Sequence, residues 1–80
     1  MKIILRDGLE YEGTPLEIVQ AMREMAFDCG RMSVSEYVDW AAGNVKKFSA
    51  VTLDVAGDTE GAKAEALVKA MLAHDLCMEV

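Results

Sequence analysis

Few side chains in this 80-residue chain could do chemistry, and their spacing is sparse. His74 and Cys77 stand three positions apart, Asp75 follows the histidine, and Cys29 is the only other thiol. A zinc site takes about four ligands, commonly as paired short motifs, and one His-x-x-Cys beside a distant cysteine falls short. Nucleophilic catalysis would need a cysteine activated by His74 and oriented by an acid such as Asp75. Neighbours on a helix point about 100° apart, which works against a relay through that pair. His74 is better read as a residue placed near a helix C-terminus, where the helix dipole favours basic side chains.

The carboxylates offer little more. Glu10 and Glu12 lie on one side of one expected strand and could act as a pair, although an exposed acidic strand face is the ordinary explanation. Asp54, Asp58 and Glu60 lack the glycine and closing glutamate of a calcium loop. Gly57 precedes a helix start, but Asp58 and Glu60 put negative charge where a bound phosphate would sit. The expectation is therefore no catalytic residue, no metal and no cofactor.

Charge narrows the partners. Fourteen acidic residues against eight basic ones leave a formal net charge of −6. Binding to a phosphate backbone needs a basic stripe that releases counterions, so direct nucleic-acid binding is not expected. Lys46 and Lys47 are the only adjacent basic pair and suit the negative end of a helix. No apolar run approaches the roughly 18 residues that span a bilayer, so no membrane segment is expected. Two cysteines without a targeting pattern at the N-terminus read as reduced, core-forming thiols of a cytoplasmic protein.

The elements that position these groups start with a hairpin. If Arg6, Asp7 and Gly8 form a three-residue loop closed by Gly8 in the left-handed region, Leu5 faces Leu9, Ile4 faces Glu10, Ile3 faces Tyr11 and Lys2 faces Glu12. Ile3, Leu5, Leu9 and Tyr11 then share an apolar face, and Lys2 and Glu12 form an opposite-charge pair on the other. One residue of slip would mix the faces.

Thr14, Pro15 and Glu17 start a helix with a capping box, and Ile18, Met22, Met25 and Cys29, flanked by Val19 and Ala26, form its stripe up to a stop at Gly30. Ser33 and Glu36 repeat the capping box, followed by Val34, Val38, Ala41, Val45 and Phe48, with Tyr37 widening the stripe and the helix continuing through Gly43. Val51 to Val55 alternates like a strand. Asp58 can cap a helix from Thr59 to about His74 with Ala64, Leu67, Val68, Met71 and Leu72 inward, its alanines suiting the middle of the helical layer. Leu76 to Val80 makes a closing strand with Leu76, Met78 and Val80 inward. The expected fold is a single α+β domain over residues 1–80, in the order β-β-α-α-β-α-β, with a small antiparallel or mixed sheet covered on one face by three helices.

The stretches DGLEYEGTPLEIVQAMREMAF, VSEYVDWAAGNV and GDTEGAKAEALVKAML resemble a group of small bacterial proteins marked by a DG-x-x-YEGTP hairpin and a TP-x-EIV-x-x-M helix start. The matching motifs are turn, cap and helix, so the resemblance implies no activity or site residues. The DG-x-x-Y-x-G hairpin is also similar to that of Sm-like barrels, but helices follow at once and the remaining barrel strands are missing.

Function is thus expected at the surface. Phe27 and Trp40 fall off the core stripes of successive helices, with Met22, Met25 and Met32 nearby, and aromatics and methionine suit adaptable interfaces. Ile4, on the outer face of the hairpin, is a further interface candidate. A chain this short buries only about 60 to 65% of its unfolded surface, which favours completion by a second copy. The leading expectation is a non-enzymatic protein–protein interaction module, binding itself as a homodimer or another protein. An acidic regulator or DNA mimic and a small thiol- or His-dependent enzyme are the alternatives.

Overall fold

The computed structural model describes residues 1–26 and 31–80. Three strands and three helices follow one another as β1 (Lys2–Leu5), β2 (Glu10–Glu12), α1 (Pro15–Met25), α2 (Val34–Ser49), α3 (Glu60–Ala73) and β3 (Cys77–Glu79). The strands form one antiparallel sheet in the order β2-β1-β3. α1 lies against β2, α3 against β3, and α2 packs on both helices. The fold is α+β, with its helices on one face of the sheet.

The hairpin has the expected register: Lys2 opposite Glu12, Ile3 opposite Tyr11 and Ile4 opposite Glu10. Gly8, at φ +90°, donates its N–H to Leu5 O at 2.9 Å, and Leu5 N–H donates to Leu9 O at 2.9 Å. Asp7 Oδ1 accepts the Leu9 N–H at 3.0 Å, which braces the loop from inside. Ile3 is fully buried, Leu5 and Tyr11 are half-buried, and Leu9 at the loop end is exposed. The expected ion pair is shifted. Lys2 Nζ lies 3.6 Å from Glu10 Oε2, not beside Glu12, because strand twist brings a long side chain to its diagonal neighbour.

Both capping boxes form. Thr14 N–H donates to Glu17 Oε1 at 3.0 Å while Glu17 N–H donates to Thr14 Oγ1 at 3.2 Å. Ser33 and Glu36 do the same at 2.9 and 3.1 Å. α1 ends at Met25, sooner than expected, as Ala26 turns extended. Cys29 and Gly30, expected on its stripe and at its stop, lie outside the described residues. α2 runs through Gly43 to Ser49, and a Cβ at Gly43 would meet nothing within 4 Å, so no close packing explains that glycine. Phe48, expected inward, is exposed because the last turn of α2 runs past its cover. α3 is capped by Thr59, whose hydroxyl accepts the Ala62 N–H at 3.1 Å, in place of Asp58.

Two expectations about strands fail, each in its own way. Residues 51–55 bury Leu53 and half-bury Val51 and Val55, so the alternation is real, but they join no ladder. β3 takes the side of β1 that β2 leaves open, and residues 51–55 pair with neither outer strand. The element order is therefore β-β-α-α-α-β. Within β3 the facing is the reverse of the expected one: Cys77 sits opposite Leu5 and is buried, whereas Met78 sits opposite Ile4 and is exposed, as is Val80. The turn after α3 sets this register. Asp75 adopts φ +57°, Leu76 N–H donates to Met71 O at 2.9 Å, and Arg6 Nε donates to Asp75 O at 3.0 Å. Those bonds decide which residue enters the ladder first, and one position of slip inverts every side chain.

Ile3, Ile18, Val19, Val38, Leu67 and Val68 are the largest fully buried side chains. They come from the sheet and from all three helices, so a single core holds every element. α3, with Ala64 fully buried, packs against both other helices, as its small surface predicts.

Candidate interaction surface

The apolar stripe of α1 outruns its cover. Ile18, Val19 and Met22 are buried, but Met25, one turn on, is 66% exposed. It sits on the rim of a shallow depression of about 180 Å³ lined by Leu5, Asp7, Leu9, Tyr11, Met22, Met25, Ala26 and Tyr37. Hairpin, α1 and α2 each supply a wall. The hairpin register points Leu5, Leu9 and Tyr11 to this side, and the α2 capping box sets the phase that turns Tyr37 toward them.

Trp40 extends the surface. Its ring centroid lies 5.8 Å from that of Tyr37 at an interplanar angle of 33°, and it remains 41% exposed. Leu9 and Met25 are thus exposed apolar points of a recess whose one charged lining residue among the described residues is Asp7, and exposed Trp40 stands beside its Tyr37 wall. Burial, and then the negative charge of Asp7, raises the pKa of the Tyr11 phenol, keeping it neutral. The recess is smaller than the roughly 300 to 1,000 Å³ of small-molecule sites. Its scale and lining suit one apolar side chain of a partner.

The other expected interface residues go elsewhere. Ile4 is half-buried on the opposite face of the sheet, beside Glu10 and Met78. Met32 is half-buried against the core, and its carbonyl accepts a hydrogen bond from Arg23 Nη1 at 3.2 Å. Phe27 lies outside the described residues. Sequence reasoning placed Tyr37 on the buried stripe, where it is indeed in the core while also lining the recess, but missed Leu9, which it had put on the apolar face of the hairpin. The missed signal for Leu9 was its place at the loop end of a short hairpin, beyond the reach of the helices.

Comparison with protein-family models, curated proteins and solved structures finds no match. The chemistry must therefore be read from the chain itself. Cys77 is 3% exposed, and burial raises its thiol pKa, which disfavours the reactive thiolate. His74, by contrast, is exposed at the end of α3. Among the described residues, no three His, Cys, Asp or Glu are grouped to hold a metal ion, and no helix is long and apolar enough to cross a membrane. Several carboxylates have individual tasks, Glu17 and Glu36 in caps, Asp39 and Glu65 in ion pairs.

Proposed function

We propose that this chain is a non-enzymatic protein-interaction module that associates with a second copy of itself through Leu9, Met25 and Trp40. The exposure of Met25 carries this reading. A residue on the apolar phase of a helix, left uncovered beside an apolar recess, loses unfavourable hydration when another surface closes over it. A two-fold axis would let each copy present the same rim, so that Met25 or Trp40 of one can enter the recess of the other. Methionine and tryptophan suit that task, the first for its adaptability and the second for its area.

Size-exclusion chromatography with light scattering over rising concentration tests it. The expected mass passes from the 8.7 kDa of one chain to twice that value. Met25→Gln combined with Trp40→Gln should hold the chain at the single mass with an unchanged circular-dichroism spectrum. A wild-type chain that keeps the single mass at about millimolar concentration, where even weak pairs form, overturns the proposal.

A further inference from the structure

β2 is an edge of the sheet, and its free side has a defined chemistry. In an antiparallel ladder, alternate residues exchange bonds with the facing strand and those between turn their groups away. Leu5 N–H donates to Leu9 O and Gly13 N–H to Met1 O, both at 2.9 Å, while Ile3 lies opposite Tyr11. Leu9, Tyr11 and Gly13 therefore serve the hairpin. Glu10 and Glu12 point their N–H and C=O groups to the open edge, and both residues are exposed. Their side chains stand on the uncovered face of the sheet. Glu10 has only the exposed contact with Lys2, and Glu12 has no ion pair among the described residues. Tyr11, between them, points inward and lines the recess with Leu9.

We infer that this edge takes up an extended segment of another protein whose residues run basic, apolar, basic. The two basic side chains stand opposite Glu10 and Glu12, where main-chain bonds also form. The apolar one stands opposite Tyr11, on the side of the recess. Main-chain pairing supplies affinity in such strand addition, and alternate side chains supply specificity. A second copy is a poor occupant of this edge. Two β2 strands side by side would bring four carboxylates together, and like charges directly opposite are destabilising. The 80-residue sequence also contains no triplet with basic residues at both ends. The inference goes beyond self-association through Met25 and Trp40 and does not require it.

The test uses two capped heptapeptides of equal composition, one alternating lysine and valine, the other with four lysines followed by three valines. Titration calorimetry should show the alternating peptide binding at least about tenfold more tightly. Amide exchange at Glu10 and Glu12 should slow in its presence. Glu10→Gln with Glu12→Gln should lower the affinity by about tenfold or more, whereas Met25→Gln with Trp40→Gln should leave it within about twofold. Equal binding of the two peptides would reduce the effect to charge alone and overturn the inference. So would unaltered exchange at Glu10 and Glu12. The readout is peptide affinity and not chain mass, so a monomeric protein that binds the peptide refutes only self-association.

Discussion

Lys63 on α3 holds its ammonium 2.8 Å from both carboxylate oxygens of Asp39 and 2.9 Å from the Ser35 hydroxyl, both on α2. The two partners differ in burial: the Lys63 side chain is 15% exposed and that of Asp39 62%. Asp39→Ala should therefore cost only about 0.5 to 1 kcal/mol, in the range of screened surface pairs. Lys63→Ala also removes a packed stem and the Ser35 bond, and should cost about 2 kcal/mol. Urea unfolding of both variants checks the asymmetry, and equal losses would contradict it.

Glycine substitutions should act with opposite sign at two neighbouring loops. Ala50 ends α2 at φ +55°, a conformation that costs most L-residues about 1 to 2 kcal/mol, so Ala50→Gly should gain about 0.5 to 1 kcal/mol after the added freedom of the unfolded chain is subtracted. At Gly57, an added Cβ would sit 2.8 Å from Lys63 N and 2.9 Å from Ala62 C, both backbone atoms that cannot swing away. Gly57→Ala should cost about 1 to 3 kcal/mol by forcing the loop off the first turn of α3. Thermal melts of the two variants should move in opposite directions.

Acid should weaken the helix starts through two named carboxylates. The Thr14 N–H bond, then the Thr14 hydroxyl, lowers the pKa of Glu17; Ser33 lowers that of Glu36 in the same way. A carboxylate depressed in the folded state binds fewer protons there than in the unfolded chain. Its stabilisation is present above the ordinary glutamate range, about pH 4.3, and is lost as pH falls through the lower folded values. Glu17→Gln with Glu36→Gln keeps an acceptor at each cap but removes the titration. Stability measured from pH 6 to pH 2 should fall less steeply in that variant than in the wild type.

Cys77 should behave as a core side chain. In a Cys29→Ser background, a thiol reagent at neutral pH should react with it at least about a hundredfold more slowly in the folded protein than in urea, because the group is buried and its pKa raised. Cys77→Ser should cost about 1 to 3 kcal/mol by placing a hydroxyl opposite Leu5. Rapid labelling of the native chain would show that β3 detaches readily from β1.

The order of residues determined what is settled within a few positions of itself. The loop at Gly8 fixed the hairpin register because only one loop length keeps Ile3, Leu5, Leu9 and Tyr11 on one face. Thr14 with Glu17, and Ser33 with Glu36, fixed two helix starts because each box closes within one turn. Tertiary structure decided the rest. Residues 51–55 have the alternation of a strand but pair with neither outer strand of the sheet, and the facing of β3 follows from a turn at Asp75 that is held by Arg6, 69 positions away. The exposure of Met25 and Trp40 belongs to the same class. A stripe shows which residues favour burial, but the length of the elements packed against it sets how many are covered, and that is not a local quantity.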